Sequence, residues 1–268
     1  MRLAAIGSNC IDFYKNLEGG KPFPGGGPVN MAVYTIRLGG SGSYIGPVGT
    51  DDYGKVQLDA MKAKGVDCSH VSVLEGKTAV TTVELVNGDR KFTAYDQGVL
   101  ADFTLSDEEL RFIAENHDMV VSDQWGKIAD YYPKLQKMGI PTAYDCSTRV
   151  SSPSALSVMP HCDYLFFSAD DGDCRTLREL MKLVHSMGPK LVIAMLGEEG
   201  SLCFDGKDFH KCGIVPCENL VDTLGAGDSF ISGFLYGVLN GLSVKECLSK
   251  GAEVSAQVVQ VFEPWVTE

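Results

Sequence analysis

Positive charge is what this chain has too little of. Its 23 Lys and Arg stand against 35 Asp and Glu, a formal net charge of −12. Nucleic acids and anionic membranes call for a basic surface, so neither is expected as a partner. An anionic ligand would have to be attracted locally, by backbone amides, a few cations or a metal. Long apolar runs are missing too. No segment reaches the roughly 18 apolar residues of a membrane span, and the apolar stretch 230–242 is short and carries three glycines. The opening MRLAAIGSNCIDFY has no extended apolar core of a secretory signal. Metal-binding spacing is absent as well: nine cysteines form no C-x-x-C pair, and five histidines form no H-x-x-x-H pair. An odd number of cysteines in a chain of 268 residues suits free thiols in a reducing cytosol, so a cytoplasmic location is expected.

What is present is the composition of a folded α/β protein, 44% apolar and 22% charged. RLAAIGS reads as a buried strand, PVNMAVYTIRLG as a helix and SYIGPVG as a strand. TDDYGKVQLDAMKAKG reads as a helix with an acidic first turn and Gly65 as its stop. Residues 70–97 differ: HVSVLEG, TAVTTVELV and RKFTAY are β-branched or aromatic, the last two joined by the hairpin signal NGD. After residue 104 strands and helices alternate to the end, closing with helices at about 226–241 and 243–261. Alternation of this kind predicts a parallel sheet covered on both faces. The early hairpin falls outside it, as a small β appendage. On such sheets ligands bind beyond the strand C-termini, so the turns there are the places to search.

Two phosphate-loop matches fail. GTDDYGKV ends in Val56 where a hydroxyl is needed, and GKT at 76–78 has Val71 in place of the first glycine. The stretch DTLGAGDSF is more specific. A helix starting near Ala226 would leave the amides of 225–228 unpaired, and the glycines would admit a phosphate to them. Asp228 beside a bound phosphate could take a proton from an attacking hydroxyl. Taken alone, GAGD favours the plainer reading of a capped helix whose Asp faces the dipole.

Further segments settle the comparison. DTLGAGDSF, with GGGPVNMA at 25–32, SNCID, VGTDDYG, KAKGVDCSHV and LGEEGS in order, resembles the signatures of the ribokinase-like (PfkB) carbohydrate kinases over essentially the whole chain. GSNCIDFY, TTVELVNGDRKF and YDQGVLADF look most like the fructoselysine 6-kinase branch. The resemblance implies a single ribokinase-like domain over 1–268. Its fold would be α/β, three layers (α/β/α) around a central mostly parallel sheet, with a β lid from about 10–20 and 70–100. It implies ATP-dependent phosphorylation of a primary hydroxyl on a small sugar or sugar–amine adduct. Fructose, ribose, a phosphosugar or a nucleoside are alternative substrates, and a silent sugar- or nucleotide-binding protein is the alternative class. Asp228 would be the base, with Gly225, Ala226 and Gly227 on the transferring phosphoryl group. Asp12, Gly26, Gly27 and Asn30 would hold the sugar, and Arg90 and Tyr95 would reach it from the lid. Gly197, Gly200, Thr223 and Gly225 would line the ATP site. The family also implies Mg2+, a monovalent cation such as K+, and a homodimer. Two segments depart from it. SADDGD has Ser168 and Asp171 where the family has Asn and Glu, so Asp171 would position magnesium through water, with Asp170 and Asp173 as alternatives. DCSTR has Ser147 in place of Asn.

Overall fold

The computed structural model describes residues 1–86, 89–261 and 265, with the backbone alone for Leu85, Asp89 and Arg90. In chain order its strands are β1 (Arg2–Ile6), β2 (Cys10–Tyr14), β3 (Lys21–Gly25), β4 (Ser41–Gly49), β5 (Val71–Leu74), β6 (Val80–Val86), β7 (Asp89–Asp96), β8 (Met119–Asp123), β9 (Thr142–Asp145), β10 (Tyr164–Ser168), β11 (Leu191–Met195), β12 (Ser201–Phe204) and β13 (Phe209–Cys212). The helices are α1 (Gly27–Arg37), α2 (Asp52–Ala63), α3 (Asp107–Asn116), α4 (Tyr132–Lys137), α5 (Pro153–Val158), α6 (Arg175–Ser186), α7 (Ala226–Leu239) and α8 (Val244–Val258).

Nine strands form one sheet in the order β13-β12-β11-β10-β9-β8-β1-β4-β5. Neighbours from β11 to β5 run parallel, and β12 and β13 are antiparallel additions at one edge. Strand side chains alternate between two apolar clusters. Ala4, Ile6, Val120, Tyr144 and Leu165 join Leu110, Tyr132, Val158 and Met181 of α3–α6. Leu3, Ala5, Val121, Ala143 and Phe166 join Val29, Met61, Phe234 and Leu248 of α1, α2, α7 and α8. Both faces are buried, which is why β1 and β8 read as continuous apolar runs rather than alternating ones. The three-layer architecture and its parallel sheet are as expected.

A second sheet of four strands has the order β3-β2-β6-β7. Two details of the expected lid change. The strand in HVSVLEG, placed with the lid by its composition, is β5 and edges the large sheet. Strand β4 pairs with β1 through residues 41–45, and β5 adds in parallel to its opposite edge through residues 46–49. The lid takes its other strands from β2 and from β3, which extends it to Gly25. The tip of the NGD hairpin, 87–88, lies outside the described residues. Helix α5 was not anticipated, although Pro153 opens it and the Ser152 hydroxyl caps it by accepting from the Ala155 amide at 3.2 Å.

The glycines of the 230–242 stretch have a packing cause. A Cβ on Gly233 would sit 2.8 Å from the Lys250 carbonyl and 2.9 Å from the Gly251 Cα, so α7 and α8 approach through bare backbone. Gly233→Ala is expected to lower stability by about 1–3 kcal/mol from overpacking, despite a helix-propensity gain of about 1 kcal/mol. Urea unfolding measures it, and a more stable variant would contradict the close-packing account.

Candidate active site

The sheet delivers its carboxylates at the strand ends. Asp123 and Asp145 are the last residues of β8 and β9, and Asp12 lies on β2 just after the end of β1. Across from them α1 and α7 begin. A Cβ on Gly27 would lie 2.9 Å from Asp123 Oδ2 and 3.3 Å from Asp228 Oδ1, and one on Gly25 would lie 2.6 Å from Asp12 Oδ2. Gly26 has φ 107° and its Cβ would meet the Asn9 Cα at 2.5 Å. The glycine run is therefore more than a loose turn: it lets the α1 backbone pass between converging acids. Asn9 is 1% exposed, and its Oδ1 has no hydrogen-bond donor among the described residues. That leaves a buried acceptor for a water or a ligand hydroxyl.

Asp228 is half-buried, and loss of water raises its carboxyl above the usual carboxylate range. One bond opposes this: Asn30 Nδ2 donates to Asp228 Oδ2 at 2.7 Å. The orientation of that amide is set by Trp265, whose Nε1 donates to Asn30 Oδ1 at 2.7 Å. Indole nitrogen is a donor only, so the Asn30 oxygen must face it and the amide N–H must face Asp228. Asn30, expected on the sugar, donates one of its amide N–H groups to Asp228. Asp123 is pushed up to about 7, chiefly by burial, with hydrogen bonds from Ser8 and the Trp125 amide opposing and the Asp228 charge adding. Asp145 is pushed up to about 8, again mainly by burial, opposed by the Ser147 amide and reinforced by Asp228 and Asp123.

On the opposite side of Asp228 the chain turns through Gly225, in the left-handed conformation at φ 76°, into the 14 residues of α7. The Ala226 N–H donates to Thr223 O at 3.2 Å, so that amide is not free as the sequence reading supposed. The amides of Gly225, Gly227 and Asp228 have no protein acceptor among the described residues. With the helix dipole behind them, they form an anion-binding concavity. The end of β11 comes close, since a Cβ on Gly227 would be 3.7 Å from the Met195 thioether. Gly197 and Gly200 have positive φ, 57° and 90°. A Cβ on Gly197 would meet nothing within 4 Å, whereas one on Gly200 would strike Cys212 O at 2.1 Å. Gly200 is thus required by the β-strands beside it, and Gly197 borders open space. Thr223 is exposed, near the exposed apolar side chains Ile214, Val215, Leu220 and Val221 of the same connection.

Tyr95 on β7 packs edge-on against Trp125 at 5.8 Å, which brings the lid to the site. The Arg90 side chain lies outside the described residues. Asp171 is exposed. Asp173, one of the two alternatives to it, is held by Arg178 at 2.7 and 2.9 Å and faces Lys211. Among the described residues no group of His, Cys, Asp or Glu has metal-site geometry. Sequence reasoning missed Asp123, Asp145 and Trp265. The first two carried a signal, as acids closing buried strands; Trp265 carried none.

The profile of the pfkB family carbohydrate kinase matches residues 2–264. The chain belongs to this family. It is 41% identical over 263 residues to the fructoselysine 6-kinase of Escherichia coli (strain K12), covering 98% of this chain and 99% of the relative. It is 31% identical over 266 residues to the fructosamine kinase FrlD of Bacillus subtilis (strain 168), covering 98% and 92%. The ribokinase of Arabidopsis thaliana, solved with ribose and ATP, superposes with a TM-score of 0.86 at 24% identity, over 97% of this chain and 93% of that one. The kinase therefore has the ribokinase-like fold, and its work is phosphoryl transfer to a carbohydrate.

Two outcomes follow for this kinase. Trp265→Phe frees the Asn30 amide to turn, so kcat should fall about tenfold or more from loss of positioning. Because the Asn30 bond lowers the Asp228 pKa, the acidic limb of the kcat–pH profile should also move to higher pH. An unmoved limb would leave Trp265 a packing residue only. The second outcome concerns stability. Asp123 and Asp145 titrate higher folded than unfolded, so their contribution is complete below about pH 4 and is lost as pH rises through about 7 and about 8. The urea midpoint should fall between about pH 5 and about pH 8, and fall less in Asp145→Asn. An equal fall in both proteins would contradict the assignment.

Proposed function

We propose that the kinase transfers the γ-phosphoryl group of ATP to the 6-hydroxyl of fructoselysine. The observation that carries the reading is a half-buried carboxylate, Asp228, at the mouth of a helix N-terminus with unpaired amides. The names of the two relatives point to the sugar–amine substrate. Asp228 takes the proton of the 6-hydroxyl as its oxygen attacks the γ-phosphorus, and ADP leaves. The Gly225, Gly227 and Asp228 amides face the charge on the transferring group; the Ala226 backbone places them. A base whose pKa is raised toward neutrality accepts that proton more readily than an ordinary carboxylate.

Asp12, Gly26, Gly27 and Asn30 border the sugar, joined by Asp123 and by Tyr95 from the lid, with Arg90 on the same hairpin. The small sheet closes over the sugar and keeps water from competing for the phosphoryl group. ATP lies along Gly197, Gly200, Thr223 and Gly225, with the apolar 214–221 segment as a platform for its base. Magnesium fits Asp171: the carboxylate is exposed, and the adjoining Gly172 packs on the Glu199 side chain next to the 197–200 loop. Oxygen donors in contact with solvent suit a hydrated Mg2+, which would supply neutralisation of phosphate charge. A monovalent cation such as K+, a homodimer and a cytoplasmic location belong to the same reading.

An ADP-release assay with fructoselysine, fructose, ribose and a nucleoside tests it. Fructoselysine should give the highest kcat/KM. Asp228→Asn should lower turnover at least about a hundredfold while ATP still binds. Near wild-type turnover in that variant would remove Asp228 as the base. Preference for another sugar would keep the kinase and replace the substrate.

A further inference from the structure

Beside the acidic site lies a cavity of about 270 Å³ lined by Gln97, Gln124, Trp125, Lys127, Tyr144 and Ser154, among others. It is continuous with that site along the chain. Trp125 and Gln124 directly follow Asp123, Tyr144 directly precedes Asp145, and Gln97 follows the Tyr95–Asp96 end of the lid strand. Its walls are held in place. Gln124 donates to Ser154 Oγ and accepts from Ser152 Oγ, each at 2.7 Å. The Trp125 ring is fixed by its own amide bond to Asp123 Oδ1 at 2.9 Å, with Tyr95 packed against it. The Arg149 guanidinium lies over the same indole, 4.5 Å from its centroid.

The charge arrangement is what gives the cavity a ligand. In a chain of net charge −12, Lys127 at its rim and Arg149 on Trp125 have no carboxylate partner among the described residues. Next to them stand the carboxyls of buried Asp123 and half-buried Asp145, whose ionised forms a cation favours and an anion disfavours. A ligand crossing both therefore carries an amine on the sugar side and a carboxylate on the cavity side. Fructose, ribose and nucleosides have neither charge. A ketose joined through its amine to an amino acid has both, in that order.

We propose that this cavity is the subsite for the amino-acid part of a sugar–amine substrate, with Lys127 and Arg149 receiving its carboxylate and Asp123 facing its amine. This rests on the substrate class given under the proposed function. The cavity has room for an amino-acid-sized group and is smaller than most pockets for drug-sized ligands, about 300–1,000 Å³. The aromatic face of Trp125 covers the methylene chain, and the clamped Gln124 amide offers polar contacts to the α-amino acid end.

The test compares fructoselysine with fructosyl-cadaverine, which keeps the sugar, the linking amine and the terminal amine but lacks the carboxylate. In the wild-type kinase the KM for fructoselysine should be about tenfold lower, the scale of one charge-assisted hydrogen bond. In Lys127→Gln and in Arg149→Gln that ratio should shrink toward one. Equal KM values in the wild type, or a ratio unchanged in both variants, would overturn the subsite while leaving the kinase a fructosamine kinase. Turnover of fructose or ribose with neither fructosamine would overturn the substrate reading and this subsite together. The wild-type comparison needs no variant, so a variant that fails to fold leaves the test intact.

Discussion

Three carboxyl groups, from Asp123, Asp145 and Asp228, share one buried space, and most of the site follows from keeping them there. Each is raised chiefly by loss of water; the Asp228 charge also raises Asp123 and Asp145, and Asp123 raises Asp145. The surrounding donors are arranged to offset this: Ser8 and the Trp125 amide for Asp123, the Ser147 amide for Asp145, the Asn30 amide for Asp228. Gly27 is there because any side chain would occupy the gap between two of the acids. The Trp265 indole is there because an amide left free to turn would offer Asp228 an oxygen instead of a proton.

The same crowding divides the site electrically. On the side proposed for the sugar, the carboxyls can accept hydroxyl protons and favour a cationic substituent. On the phosphate side, a few residues along, the first turn of α7 presents amides and the positive end of a dipole. Asp228 stands on the boundary, where in the proposed reaction a hydroxyl gives its proton to the carboxylate and gains a phosphoryl group. An acidic protein can thus handle a polyanionic phosphate donor without a basic surface, because backbone donors do the local work.

Helix α7 joins this chemistry to the fold. Its first turn makes the anion site, and its body packs Ile231, Phe234 and Leu235 into the core beneath the sheet. Gly233 and Gly251 allow α8 to close against it. A helix so firmly seated holds Asp228 and the three open amides with little freedom to reorient, which preorganises them for charge that develops in the transition state.

Period and punctuation made the large sheet, its helices and the Asp228 turn legible in the sequence, because those signals are local: alternating strands and helices, a hairpin dipeptide, glycines before an acid. The family signatures added the fold and the kinase chemistry. Strand partners were less accessible. β5 looks like lid by composition, yet it pairs with the outer edge of β4, the edge away from β1, a partner that composition does not name. The site was legible where its residues form a run, as in 225–228, and illegible where they meet only in space. Trp265 and Asn30 are separated by 235 positions, and Asp123, Asp145 and Asp228 by intervening strands and helices. Sequence alone determined which groups the chain owns and which local shapes they favour. The tertiary structure decided which carboxyls lose water together, which amide faces the base and where unpaired cations stand, since desolvation and Coulomb interaction depend on distance through space.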